Sequence, residues 1–344
     1  MTLLGAWMHD LDSCAVHAFG RCLVQWYGLS YVLGFGAAWL IVRAMIRTGR
    51  TRLENPLKAS DLVFGAAVGA VVGGRLGYVL LYQPALLTSF GSAPPWWGVL
   101  ALHEGGMASH GGMVGVIVAC IIFARREKIP WLHATDLLAL AAPAGLFFGR
   151  VANFVNGELL GKIVAPPGEP APWWAVRFPQ EMLTNHAPEL SADQTDELAR
   201  LAYEVAPDAM TRTEQVRAVI DAARTGAGDI ATRFEPLLAA RHPSQLYQAT
   251  SEGLVLGLAL WLIAKKTTRV GVVSAWFLLI YGALRILTEH WRLPDDHLAA
   301  PEPLGLSRGR WLSVAMLVGG AVLLWNTYEK KTNAAAGSGS DEAA

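Results

Sequence analysis

Residues 271–291 read GVVSAWFLLIYGALRILTEHW, and how this stretch is read decides the fold. Its first fourteen residues carry no charge, and Arg285 and Glu289 come only near its end. A helix needs about 20 mostly apolar residues to cross a bilayer, and this stretch has that length. Tyr281, Arg285 and Glu289 stand four apart, with Arg292 three further on, so the four share one helical face. An ionisable stripe in otherwise bilayer-compatible text is either a self-neutralising Arg–Glu pair joining two helices or the working face of a site.

Working outward, six more stretches have the same character, at approximately Val24–Val42, Leu62–Tyr82, Met107–Ala124, Ala134–Phe154, Gln245–Ala264 and Trp311–Tyr328. The first lacks a basic leader and a small-x-small cleavage site and carries Tyr27, Tyr31 and Trp39, so it reads as a spanning helix, not a signal peptide. Pro143 predicts a kink in the fourth. Composition agrees. Of 344 residues, 53% are hydrophobic and 16% charged, where a soluble domain carries about a quarter charged. That excludes a cytosolic enzyme and a disordered chain. Lys+Arg 28 against Asp+Glu 28 removes the electrostatic case for nucleic acid. The three cysteines, Cys14, Cys22 and Cys120, are too few for a disulfide framework and lack metal-ligand spacing. The expected fold is all-α: a polytopic membrane protein with seven transmembrane helices and one large insertion.

Lys and Arg in the short loops set the orientation. Arg43, Arg47, Arg50, Arg52 and Lys58 follow the first helix, and Arg125, Arg126 and Lys128 the third. Lys265, Lys266 and Arg269 follow the fifth, and Lys330 and Lys331 the seventh. The loop from Gln83 to Leu102 has neither residue type. All four clusters fall on one side, which is expected to be cytoplasmic, with Arg292, Arg308 and Arg310 as minor exceptions. The N-terminus is then periplasmic and the C-terminus cytoplasmic. Residues 1–333 form one membrane domain that includes a polar outer excursion over 158–241, in which Ser191 opens helix-like text running to Ala223. Residues 334–344 read as a disordered cytoplasmic tail.

A charge near the bilayer centre costs a few kcal/mol or more, so ionisable residues inside such helices are functional suspects. Arg75, His110, Arg150, Asn153, Glu158, His242, Arg285, Glu289 and Arg292 all fall at the outer leaflet in this topology. The run from Gly149 to Glu158 puts Arg150 and Asn153 on one face and breaks at Asn156-Gly157; a snorkelling helix cap is the plainer reading. Gly105, Gly106, Gly111 and Gly112 bracket His110, permitting unusual backbone or close approach of a ligand, although a lone histidine is often satisfied packing. Several arginines on different helices suit a phosphate, and a histidine suits proton transfer near neutral pH. Transfer of a lipid-derived group with phosphate departure follows from that set. Gly-x-Ser-x-Gly, His-Glu-x-x-His and Walker A motifs do not occur.

At these residues the chain resembles bacterial prolipoprotein diacylglyceryl transferases. The likeness lies in Gln25-Trp26-Tyr27-Gly28-Leu29, Gly73-Gly74-Arg75-Leu76-Gly77-Tyr78, residues 104–112 around His110, Gly149-Arg150 through Gly161, Arg241-His242-Pro243-Ser244-Gln245-Leu246-Tyr247, and Tyr281 through Asp295. The resemblance implies that a diacylglyceryl group passes from phosphatidylglycerol to the lipobox cysteine thiol in the signal peptide of a prolipoprotein. A thioether forms and glycerol-1-phosphate leaves, in the bacterial inner membrane, with membrane lipids as surroundings and no metal or nucleotide cofactor. It assigns phosphate binding to Arg150 and Arg285 and the thiol's base to His110. Tyr27, Asn153, Glu158, Gly161, Tyr281, Glu289 and Arg292 match further positions important in that family, and Arg75 falls in a family motif. Ser109 stands where the family usually has an aromatic residue, the excursion from Lys162 to Ala240 is longer than the family's head, and His103 has no motif partner. A transporter or channel for an anionic lipid or metabolite is the alternative. It requires charges that reach both sides or a broken-helix pair at the midplane.

Overall fold

A computed structural model describes residues 5–92, 94–102, 105–226, 229–293 and 308–338. The chain is mostly helical. In order the elements are β1 (Trp7–Met8), β2 (Cys14–Ala18), β3 (Arg21–Gln25), α1 (Trp26–Arg47), α2 (Lys58–Leu81), α3 (Ser109–Glu127), α4 (Trp131–Asn156), β4 (Ile163–Ala165) and β5 (Val176–Arg177). There follow α5 (Ala192–Val205), α6 (Arg212–Thr225), α7 (Ile230–Phe234), β6 (Ala240–Arg241), α8 (Ser244–Gln248), a π-helical stretch Ala249–Val255, α9 (Leu256–Lys266), α10 (Val272–Thr288) and α11 (Arg308–Ser338).

Each of the seven expected stretches is helical over most of its length, although Val24 and Gln25 belong to β3 and α3 begins only at Ser109. Among the described residues, five helices are long and apolar enough to cross a bilayer: Trp26–Arg47, Lys58–Leu81, Trp131–Asn156, Ser244–Lys266 and Gly309–Glu329. The other two fall short of the expectation. α10 has 17 residues, a rise of roughly 25 Å against a hydrocarbon core of about 30 Å. α3 dilutes its apolar text with Gly111, Gly112 and Gly115 and ends in Arg125-Arg126-Glu127. α11 continues through Ser338, into the segment read as a tail, whose residues 339–344 lie outside the described residues.

The chain divides into two compact units. One comprises Leu33–Gly145, Val255–Tyr281 and Met316–Ala344. Its apolar core gathers Val42 and Ile46 of α1, Leu62 and Val63 of α2, Cys120 and Phe123 of α3, and Leu137 and Ala141 of α4. α2 and α3 approach backbone to backbone. A Cβ on Gly73 would lie 2.8 Å from Gly115 Cα, one on Gly77 2.7 Å from Gly111 Cα, and one on Gly115 would overlap the Gly69 carbonyl oxygen. With no apolar-solvent penalty to drive helices together in lipid, such small-residue contacts supply the dispersion that does. In the same unit the buried Asp136 carboxylate accepts from Gly271 N (2.6 Å), Ser274 N (2.7 Å) and Ser274 Oγ (2.7 Å), satisfying donors that the first turn of α10 leaves unpaired.

The second unit comprises Met1–Val32, Leu146–Leu254 and Gly282–Ala315. Its four-stranded sheet has the order β1-β5-β6-β4, with β1 parallel to β5 and the other pairs antiparallel. β2 and β3 form a hairpin bridged by a Cys14–Cys22 disulfide, which the cysteine count did not anticipate; Cys120 is free and buried. The helix-like text after Ser191 divides into α5 and α6, because Pro207 bars a helical conformation at Ala206. Ser191 with Gln194 and Thr211 with Glu214 form capping boxes, and Leu201, Val219, Ile220 and Phe234 bury themselves among the three short helices.

His9, wholly buried against Phe154 and Phe178, ties the N-terminal segment to the end of α4: its Nε2–H donates to Phe154 O at 2.8 Å. Its Nδ1 has no hydrogen-bond partner among the described residues. Burial holds this imidazole below its ordinary value of 6.5, with the Phe154 carbonyl opposing the shift. A depressed histidine pKa means that the unfolded chain binds the extra proton first. The stabilisation is therefore complete above pH 6.5 and is lost as pH falls below it. Thermal unfolding followed between pH 7.5 and 5 should show Tm falling with acidification, and His9→Gln, which keeps an N–H for Phe154 O, should flatten that slope. An unchanged slope would show that His9 does not titrate on unfolding.

Candidate functional site

α4 ends at Asn156 as the sequence predicts, and Gly157 (φ +68°) turns the chain in the left-handed conformation that terminates many helices. A Cβ there would collide with the Gln180 amide. The reversal folds Glu158 back: its exposed carboxylate accepts from Asn153 Nδ2 at 3.1 Å and from Asn156 Nδ2 at 3.2 Å. Its own backbone carbonyl accepts from Gln245 Nε2, and Ser244 Oγ donates to Leu159 O at 3.2 Å. The RHPSQLY segment thus clasps the end of α4 and the Glu158 turn.

Gly161 lies where the backbone before β4 crosses His242, and any Cβ would overlap the His242 carbonyl oxygen. On its other side Gly161 pairs with Arg292 in an antiparallel bridge, flanked by Lys162 N to Trp291 O (2.9 Å) and Leu293 N to Leu160 O (3.1 Å). Glycine is needed here by sterics. His242 stacks on Trp174 at 5.2 Å, and burial, with Lys162 adding to it, holds its imidazole below the usual range. Arg241, which opens the same segment, is fully buried and pairs with the equally buried Glu181. It also donates to Gly161 O at 3.1 Å, which makes it a tie between excursion and α4 turn.

Arg150 is half-buried on α4, and its Nη2 lies 3.3 Å from Glu252 Oε2. Glu252 is absent from the suspects read off the sequence. Arg285 on α10 and Glu289 just beyond it share a face, as their spacing predicts: a Cβ on Gly309 would lie 3.5 Å from Arg285 Nη2 and 3.3 Å from Glu289 Oε2. Arg285 Nη1 is out of contact with solvent and has no hydrogen-bond partner among the described residues. Tyr27 sits in the first turn of α1, its hydroxyl 3.5 Å from that of Tyr31. Tyr27, Arg150, Asn153, Glu158, Gly161, Arg285, Glu289 and Arg292 therefore belong to one compact unit.

Arg75, His110 and Tyr281 belong to the other unit. His110 is exposed in the first turn of α3, and Tyr281 stacks on Phe277 at 5.5 Å. Arg75 makes its hydrogen bonds to backbone. It is buried and donates to four backbone carbonyls, Val99 O (2.8 Å), Gly98 O (2.6 Å), Gly105 O (2.5 Å) and Gly106 O (3.1 Å). Those donors are spent on holding the loop before α3. Gly105 and Gly106 have left-handed φ values, and a Cβ on Gly106 would strike the Tyr78 ring. Gly105 and Gly106 thus serve unusual backbone, and Gly111 serves helix contact. His103, Glu104 and the residues from Pro294 to Asp295 lie outside the described residues. No group of three or more His, Cys, Asp or Glu that could hold a metal ion occurs among the described residues.

Residues 14–326 match the sequence profile of the family described as prolipoprotein diacylglyceryl transferase. The phosphatidylglycerol--prolipoprotein diacylglyceryl transferase of Bdellovibrio bacteriovorus is 39% identical over 334 residues, covering 92% of this chain and 93% of that protein. Proteins of the same name from Paraburkholderia phymatum and Burkholderia lata are each 38% identical, covering 95% of this chain and 96% and 98% of theirs.

Proposed function

The chain belongs to the prolipoprotein diacylglyceryl transferase family, and on that premise we propose how its polar membrane residues carry out the family's reaction. It is a multi-pass membrane transferase of lipoprotein biosynthesis, acting on phosphatidylglycerol and prolipoprotein. The acceptor is the lipobox cysteine thiol. The thiolate sulfur attacks the glycerol carbon that carries the phosphate, the C–O bond to that phosphate breaks, and glycerol-1-phosphate departs with the electron pair. His110 takes the thiol proton, since a thiol is a poor nucleophile until ionised. Arg150 and Arg285 grip the phosphate and stabilise the charge that grows on it as the bond breaks. Asn153, Glu158, Gly161, Tyr281 and Arg292 bind the donor lipid, and Glu289 and Tyr27 join the catalytic groups.

The observation that carries this reading is Arg285 Nη1, a buried donor with no hydrogen-bond partner among the described residues, on the same compact unit as Arg150 and Arg292. A buried donor without an acceptor costs about 1–3 kcal/mol, and a phosphate oxygen would supply the acceptor. Seven spans, a periplasmic N-terminus and excursion, and a bacterial inner-membrane location complete the proposal. Lys/Arg loop asymmetry supports that orientation, and so does the Cys14–Cys22 bridge, since disulfides persist in oxidising compartments. Purified protein, phosphatidylglycerol vesicles and a lipobox peptide should yield glycerol phosphate and lipidated peptide in equal amounts. Lipid movement without glycerol phosphate release would favour a transporter and sink the proposal.

A further inference from the structure

Glu252 has no part in the mechanism above, yet it is a completely buried carboxylate inside a helix of membrane-spanning length. We infer that Glu252 is a positioning residue that sets the guanidinium of Arg150 and the helix of Arg285, and that the π-helical turn carrying it exists to aim it. The inference rests on the phosphate role proposed for those two arginines.

Three features converge on Arg150. The first is the carboxylate itself. Its Oε2 lies 3.3 Å from Arg150 Nη2, while its Oε1 accepts from Thr288 Oγ1 at 3.3 Å. Thr288 is itself buried and stands one turn beyond Arg285 on α10, with its Oγ1 also 3.3 Å from Arg285 O. One carboxylate therefore ties the side chain of Arg150 on α4 to the turn of α10 that follows Arg285. The second is the backbone. Ala249–Val255 is π-helical between α8 and α9, and such wide turns are rare and concentrate at functional sites. The wider turn changes the face on which every later side chain emerges, so Glu252 points where a regular helix would not send it. The third is Gly253, where a Cβ would come 2.7 Å from Phe147 Cβ and 3.0 Å from Phe147 Cα. The π turn thus lies against α4 three residues before Arg150, and only glycine permits that approach.

A buried ion pair is weak evidence for stability, because apolar replacements of the same volume often do as well or better. A carboxylate retained here, on a π turn, with a threonine completing its hydrogen bonds, fits a demand for geometry. Among the described residues it engages Arg150 at Nη2, which leaves the remaining edge of the guanidinium to face a phosphate. It also prevents the guanidinium from swinging once the leaving phosphate is gone.

Glu252→Gln keeps the shape and the bond to Thr288 but not the charge, and Thr288→Val removes the hydroxyl alone. Glycerol phosphate release with phosphatidylglycerol vesicles and a lipobox peptide gives kcat and KM for the lipid, and thermal unfolding gives Tm. Expected for Glu252→Gln is a kcat roughly 10- to 100-fold below wild type, as for loss of a group that aligns a transition-state contact, with KM and Tm close to wild type. Wild-type kcat overturns the inference, and so does a fall in kcat that merely accompanies a fall in Tm. If Glu252→Gln does not fold, Thr288→Val decides: it must lower kcat at unchanged Tm, and wild-type turnover refutes the tie to α10. An inactive wild-type protein would count against the transferase mechanism instead, which keeps the two failures distinguishable.

Discussion

Alanine at Gly115 should lower the unfolding temperature by roughly 5–10 °C, and leucine there should leave no folded protein. α2 and α3 meet through glycines four residues apart on each helix, Gly69, Gly73 and Gly77 facing Gly111 and Gly115. The first atom of any side chain at Gly115 meets the Gly69 carbonyl and lies 3.0 Å from Gly73 Cα. Backbone atoms cannot rotate away as a side chain can, so the two helices must separate, and close-packed interiors resist that. Overpacking costs about 1–3 kcal/mol even where side chains yield, against a total stability of about 5–15 kcal/mol. The separation would also break Ala108 N to Gly74 O (2.9 Å), the bond that seats the first turn of α3 and with it His110. Gly65, also on α2, has nothing within 4 Å of its would-be Cβ and serves as the control. Gly65→Ala should leave Tm unchanged or slightly raised, alanine being the better helix former. Equal effects at the two positions in a thermal-shift measurement would show that the glycine seam does not hold the pair together.

The helices were legible in the sequence because lipid imposes a length and a composition together. The break at Asn156-Gly157 was legible too, whereas the break at Pro207 was missed within text read as helix-like from Ser191 to Ala223. The sheet was not legible. Its strands are two or three residues long, too short for alternation to register, and β1 pairs with β5 across 168 positions of sequence from Trp7 to Val176. The shortness of α10 was also hidden, because apart from Arg285 the text stays apolar through Leu287 and the turn comes only at Thr288-Glu289.

The site shows a similar division. Arginines in apolar text stand out because their burial is costly, and Arg150 and Arg285 emerged on that ground alone. What they touch has no sequence signature. Arg75 looked equivalent to them, but its acceptors are four backbone carbonyls of a loop more than twenty residues away, and carbonyls are identical in every residue. Glu252 met the same criterion of a carboxylate within a spanning stretch. It follows Gln245, Gln248, Thr250 and Ser251 and so blends into a polar helix opening, whereas the structure buries Gln245, Gln248 and Glu252 completely.

Arg285→Ala should reduce transfer by about a thousandfold or more while the protein still inserts and unfolds at close to the wild-type temperature. Loss of one preorganised hydrogen-bond donor to a developing oxyanion typically costs a factor of about 100–1,000, and a guanidinium offers two donors and a full charge. Arg285 also differs from its counterparts in what it contacts among the described residues. Arg75 holds a loop and Arg241 anchors the excursion to Gly161, whereas Arg285 Nη1 has no protein partner among the described residues. Its removal relieves a buried donor that has no partner among the described residues. Lysine in its place would restore the charge without the planar fork, so Arg285→Lys should recover part of the rate, remaining about 10- to 100-fold below wild type. Rates come from glycerol phosphate release with phosphatidylglycerol and a lipobox peptide, and folding from Tm in the same detergent. A folded Arg285→Ala protein that turns over near the wild-type rate would make Arg285 a packing residue and leave the departing phosphate to Arg150. A lysine variant as inactive as the alanine one would locate the contribution in bidentate geometry, with charge secondary.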